Sequence, residues 1–330
     1  MPSEQPAGPL PERPGGPEAQ RSGGAADSGQ AGSDAAVEPH PSAFEIGHPS
    51  VLGVSRLSRL PYLSPAAEAL YRRIARLAEL GPESEFLLAP SARGLTTRFL
   101  ADVSGASGAG VDPNAELTAD ATERARVANL SGRLHFDVAP IVDLPYQDDI
   151  FDFAMGELGL GASGDPAAAV SELVRVVKPM GNVALLQLVW TRQLDDALRE
   201  SLVRMLGLRP MLLVEWKQML RDAGVVGLQV EDLTDAAAAP QQPLLGIAGL
   251  VDFYSLRDRF SVLWRAWRRW GWGGVWEAVL HGNEVRRLIA RERMLGLAFI
   301  RGTKWRGSGD RRSGTRSETT KPASPNERGP

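Results

Sequence analysis

Asp143-Leu-Pro-Tyr-Gln-Asp-Asp-Ile-Phe-Asp-Phe-Ala-Met155, then Glu172-Leu-Val-Arg-Val-Val-Lys-Pro-Met-Gly181, then Asn182-Val-Ala-Leu-Leu-Gln-Leu-Val-Trp190, decide the fold. A polar turn feeds a short apolar run. An amphipathic helix follows, over 167–177. Lys178-Pro179-Met180-Gly181 stops it, because Pro cannot continue a helix and Gly suits the turn. A second apolar run, 182–189, is too short for a helix and is bounded by turn residues. This is a strand–helix–strand unit.

The same alternation extends outward in both directions. Ser64 and Pro65 suit a helix start, and Leu70, Ile74, Leu77 and Leu80 recur at helical spacing up to Gly81-Pro82. Glu85–Ala89 predicts a first strand, Gly94–Ala101 a helix and 108–112 a second strand ending in an acid. A helix over 115–129 and strands at 134–138 and 151–155 follow. C-terminal to the opening block, the pattern predicts a helix at 215–223, a strand at 225–233, a helical insert over 243–292 and a last strand at 294–301. Strands alternating with helices imply a doubly wound, mostly parallel sheet with helices on both faces, an α/β fold. Ligands of such sheets bind at the carboxyl ends of the strands.

Residues 1–43 and 306–330 are rich in Pro, Gly, Ser and charged residues and poor in large apolar ones. Such segments cannot offset their ordering entropy, so both are expected to be disordered tails around a folded domain at 50–305. With no Cys, disulfides, thiolate nucleophiles and Cys-ligated zinc are excluded. A net charge of −3 gives no global footprint for nucleic acid. No run of 18 apolar residues and no signal-peptide pattern is present, so a cytoplasmic location is expected.

The Leu144-Pro145-Tyr146 turn, the Phe151-Asp152 strand start and the Lys178–Gly181 turn, in this order and spacing, resemble the class I S-adenosylmethionine-dependent methyltransferase family, in particular its small-molecule methyltransferases. The resemblance implies a seven-stranded Rossmann-like sheet with an antiparallel last strand, S-adenosylmethionine as cofactor, and a helical insert that faces the substrate. It also implies a glycine-rich loop after the first strand. Here that loop reads Leu88-Ala89-Pro90-Ser91-Ala92-Arg93-Gly94, in which Gly94 alone matches and Leu88 stands in the acid's place. Ala89 and Gly94 are the implied cofactor-facing positions of the loop. Asp112 is the implied acceptor for the ribose hydroxyls, although an Asp before Pro113 also caps a helix well. The acid implied near the adenine amino group would fall on Pro140. Asp137, three residues earlier, is the substitute, and Asp143 reads as a loop residue.

Methyl transfer needs alignment more than acid–base chemistry, because the cofactor carries the reactive group. Candidate general bases are His135, His281, Asp152 and Glu157. Glu157 ranks first, since the resemblance puts it on the substrate side. His135 reads as a structural histidine in an apolar strand and His281 as a surface or capping one. No metalloprotease, serine-hydrolase or phosphate-binding-loop motif is present.

Trp264, Trp267, Trp270, Trp272 and Trp276 interleave with Arg257, Arg259, Arg265, Arg268 and Arg269. Phe260, Leu263, Trp264 and Trp267 share one helical face. Three readings are open for 257–276: a lid packing its aromatic face on the sheet domain, a membrane-surface helix, or a protein-partner surface. Nucleic acid is not expected. For the whole chain two readings follow. One is a methyltransferase acting on a small apolar molecule. The other is a non-catalytic pseudoenzyme, a binding or scaffold protein on the same fold, which Pro90, Ala92, Arg93 and Pro140 motivate.

Overall fold

The computed structural model describes residues 49–57, 65–235 and 256–306. Both expected tails, apart from Arg306, and residues 243–255 of the expected insert lie outside them.

Among the described residues eight strands form one sheet: β1 (Glu85–Leu88), β2 (Ser107–Val111), β3 (Leu134–Asp137), β4 (Phe151–Glu157), β5 (Val177–Trp190), β6 (Met211–Leu212), β7 (Val225–Asp232) and β8 (Leu295–Lys304). Their order is β3-β2-β1-β4-β5-β8-β7, with the two-residue β6 added beside β5. β8 runs antiparallel to both its neighbours, and every other pairing is parallel. The seven expected strands are therefore all present. β6 is the addition, too short to leave a periodic signal.

The helices are α1 (Val51–Leu57), α2 (Pro65–Leu77), α3 (Leu95–Ser104), α4 (Ala115–Val127), α5 (Pro166–Arg175), α6 (Asp196–Leu206), α7 (Leu213–Asp222) and α8 (Leu256–Ala290). Local chemistry fixes several ends. Asn114 caps α4 by accepting from the Glu116 and Leu117 amides, and Asp165 caps α5 ahead of Pro166. Asp195 caps α6, and Gly207 closes it in the left-handed conformation. The central strands are buried on both faces: Phe86, Leu87, Leu88, Ala154, Met155, Val183, Leu185 and Leu186 are almost fully enclosed.

Two details depart from expectation. The Lys178–Gly181 turn lies inside β5 as a bulge, where the register against β4 jumps from Phe151↔Val177 to Phe153↔Asn182. At the other end of β8, buried Lys304 donates to the Arg175 and Val177 carbonyls at 3.0 and 2.7 Å and to Asp149 at 2.6 Å. It thereby satisfies carbonyls at the end of α5 and ties the last strand to that turn.

Candidate functional site

The loop after β1 keeps a tight, partly left-handed path. Gly94 has φ 70° and Ala92 φ 46°. An added Cβ at Gly94 would lie 2.7 Å from the Phe136 ring, so glycine is needed for space as well as for angle. Ala92 adopts the left-handed conformation without being glycine, which costs on the order of 1–2 kcal/mol. Ala92→Gly is expected to raise stability by about 0.5 kcal/mol, the relieved strain less the added unfolded-state entropy. Urea unfolding measures this, and a loss of stability would contradict it.

Asp112 follows β2 directly and is fully buried. Its carboxylate accepts from the Ala92 amide at 3.0 Å and the Asn114 amide at 2.9 Å. The expected capping role falls to Asn114, while Asp112 ties the loop across the strand ends and braces the residue that caps α4. Burial pushes its pKa up, against the opposing pull of the Arg56 charge and the two amide bonds. Arg56, on α1, is itself buried, and burial lowers its pKa against the pull of Asp112.

Arg93 does not stretch out over the loop. It is buried, and its Nε and Nη2 donate to the Arg56 carbonyl at 3.1 and 3.0 Å. Its Nη1 meets Asp120 of α4 at 2.8 Å. Burial alone would raise the Asp120 carboxyl, but hydrogen bonds from Arg124 and Arg93 outweigh it and hold it low. Arg93 is therefore a strut between α1, the loop and α4. Leu57 of α1 packs with Ala92, Leu117, Ala266 and Val275, and Val54 with Val262 and Ala278. α1 lies between α8 and the loop and covers Asp112.

Asp137 ends β3 opposite Val111, and its carbonyl accepts from the Asp112 amide at 3.2 Å. Its carboxylate accepts from Tyr146 Oη at 2.9 Å and lies 2.9 Å from His135 Nε2. Burial and then the Asp137 charge raise the Tyr146 pKa, so the phenol stays protonated. His135 is exposed on the edge strand rather than enclosed in an apolar setting, a correction that follows from β3 lying at the end of the sheet.

Glu157 is the last residue of β4. Tyr71 of α2, fully buried, donates to it, and Thr96 in the first turn of α3 is hydrogen-bonded to both. Burial raises the Glu157 pKa against these two bonds. The Tyr71 pKa is raised well above its ordinary value, first by burial and then by the Glu157 charge. Asp152 sits at the opposite end of β4, on the Glu85 amide at 2.8 Å and Lys178 Nζ at 2.9 Å. As a base candidate it is corrected to a structural tie. His281 lies on α8 with Nδ1 2.9 Å from the Pro49 carbonyl, joining α8 to the start of α1.

Ala89, Gly94, Asp112, Asp137 and Glu157 therefore all lie at the carboxyl ends of β1 to β4. Arg56, Tyr71 and Thr96 are additions. Tyr71 left a signal, a hydroxyl within the buried stripe of α2 that needs a partner. Arg56 left none, since a cation in a seven-residue helix reads as a surface residue. For an adenosyl cofactor the donor set is suited in part. Asp112 offers a carboxylate, and the buried hydroxyls of Ser91 and Thr97 have no hydrogen-bond partner among the described residues. With α1 seated, Asp112 is closed off.

The strand order β3-β2-β1-β4-β5-β8-β7, with β8 reversed and an acid after β2, defines a class I methyltransferase fold. Residues 90–185 match the family described as Methyltransferase domain. Over that stretch the chain is similar to the class I S-adenosylmethionine-dependent methyltransferase family. Among curated proteins it is 31% identical over 78 residues to the ubiquinone/menaquinone biosynthesis C-methyltransferase UbiE of Geotalea daltonii, covering 24% of this chain and 33% of the relative. It is 27% identical over 139 residues to the methyltransferase GfsG of Streptomyces halstedii, covering 42% and 50%. The matches thus span a third to a half of these relatives' lengths. Among solved structures, the [4+2]-cyclase SpnF superposes with a TM-score of 0.57 at 21% identity, over 72% of this chain and 80% of that one. Geranyl diphosphate C-methyltransferase from Streptomyces coelicolor A3(2), in complex with Mg2+, geranyl diphosphate and S-adenosyl-L-homocysteine, gives 0.52 at 14% identity, over 70% and 78%. These two likenesses concern the fold alone.

Proposed function

We propose that the chain is a methyltransferase that moves a methyl group from S-adenosylmethionine to a small apolar molecule, and that α1 has to lift before the cofactor enters. The observation that carries this reading is the loop 89–94. It keeps the family's left-handed turns although glycine is replaced at Ala92, and it stays tied to the family's acid, Asp112. When bound, the cofactor supplies an electrophilic methyl group. Asp112 would hold the ribose hydroxyls, with Ala89 and Gly94 passing close by and Ser91 and Thr97 offering hydroxyls. Asp137, held by Tyr146 one strand further, would face the adenine. Glu157 would take the proton from the substrate atom that accepts the methyl group. Its raised pKa makes it a stronger base than an ordinary carboxylate.

A second reading, a non-catalytic binding or scaffold protein, is favoured by one observation: Arg56 is buried against Asp112, where a ribose would sit. Calorimetric titration with S-adenosylhomocysteine separates the two. The methyltransferase reading expects binding, weakened at least about tenfold by Asp112→Ala, the loss of one charged hydrogen-bonded contact. No heat at millimolar ligand, with the wild type and with Arg56→Ala alike, would leave the scaffold reading.

A further inference from the structure

α8 is built inside out. Toward α1 and the loop it buries small residues, Val262, Ala266, Val275 and Ala278. Away from the domain it presents Phe260, Trp264, Trp267, Trp272, Trp276 and Leu280, each between 40% and 74% exposed. The reading of this helix as a lid with its aromatic face packed on the sheet domain is thereby corrected: Trp270 is half-buried against α1, and the other large rings point outward. Large aromatic side chains gain most from leaving water, so a row of them on one exposed face marks a contact surface rather than scattered apolar residues.

The geometry keeps the row continuous. Gly271 breaks the helix with φ 70° and ψ −177°, a region open essentially to glycine only. Across that kink the Trp267 and Trp272 rings still lie 5.8 Å apart. Cations flank the row. The Arg268 guanidinium stacks 4.9 Å from the Trp264 ring centroid, and Arg269 is exposed on the same half of the helix. Between Phe260 and Trp276 there is no Asp or Glu. Among the described residues no helix is long and apolar enough to cross a membrane.

We infer that α8 docks on the surface of a bilayer carrying anionic phospholipid, with the aromatic row at the headgroup boundary and the arginines on the phosphates. Aromatic rings and arginine stems on one helix match both parts of that interface, and the absence of acids on this stretch supplies the charge complementarity. The inference does not depend on whether the cofactor binds. Flotation of the full chain with phosphatidylcholine vesicles, with and without phosphatidylglycerol, tests it, with tryptophan emission read in parallel. Binding to the anionic vesicles is expected, with a blue shift. Arg268→Gln combined with Arg269→Gln is expected to weaken it on the order of tenfold at low salt and less at high salt. Trp272→Ser with Trp276→Ser should weaken it at both, with an unchanged circular dichroism spectrum. Absence of binding to anionic vesicles would overturn the inference. So would equal binding to both vesicle types that ignores the arginine changes, or vesicle-free self-association abolished by the tryptophan changes, which would make the face an interface between copies.

Discussion

Arg56→Ala is expected to lower the stability of the protein by roughly 1–3 kcal/mol near neutral pH, since buried Asp112 loses a nearby charge that offsets its burial, while tightening S-adenosylhomocysteine binding. Asp112 is fully enclosed and its carboxyl is already pushed up by burial, with Arg56 among the groups that oppose this. Without the guanidinium, either the carboxylate stays buried and uncompensated or α1 comes away and admits water. The second route limits the loss to what α1 gains by docking through Val54, Leu57 and the Arg93 strut. It also opens the acid to a ribose. The pH dependence has a definite sign. A carboxyl whose folded-state pKa is raised favours the fold most below its unfolded value, near about 3.9. It loses that contribution as the pH rises through the folded-state value. Removing Arg56 raises the folded-state value further. The deficit of the variant should therefore be large at pH 7 and shrink toward acid, where Asp112 is protonated in both proteins. Urea unfolding at neutral and acid pH measures this. An equal deficit at both would mean that Arg56 acts by packing alone.

Glu157→Gln is expected to cut turnover by two to four orders of magnitude, the usual range for a positioned general base, with cofactor affinity unchanged. Gln keeps the shape and can still accept from Tyr71, but it cannot take a proton. The same substitution should stabilise the protein at neutral pH, as urea unfolding would measure. The sign follows from burial, which raises the Glu157 pKa: the folded state prefers the neutral carboxyl, so the wild type loses stability as the pH rises past its unfolded value. Tyr71→Phe removes a bond that holds the pKa down. The ascending limb of the rate–pH profile should then move to higher pH. Unchanged turnover in Glu157→Gln, together with raised stability, would reduce Glu157 to a structural tie from β4 to α2 and α3.

The sheet was legible because each strand is a short apolar run with its own stop signal, and because β4, α5 and β5 carry turn chemistry that few other folds need. α6 passed unread although Asp195, Leu202, Leu206 and Gly207 spell a capped amphipathic helix. α1 could not be read, since seven residues hold too little periodicity to separate from a loop. At the candidate site, the strand-end positions Gly94, Asp112, Asp137 and Glu157 came from the family resemblance. What covers them did not. Arg56 reaches Asp112 from 56 positions along the chain, and pairing over such a separation leaves no local trace. The outward face of α8 was also hidden: periodicity groups Phe260, Trp264 and Trp267 on one side, but it cannot say which side is wet.

The reversal of β8 carries a consequence for biosynthesis. This strand lies in the interior of the sheet, between β5 and β7, yet it is nearly the last described stretch of the chain to be made. Until residues 295–304 leave the ribosome, β5 has an open edge from Asn182 to Trp190, and β7 has no partner strand among the described residues. Unpaired edges of that kind invite association with other chains. The nascent protein therefore closes its sheet only after residues 295–304 have emerged, and a chain halted within α8 would expose its own core strand to whatever lies nearby.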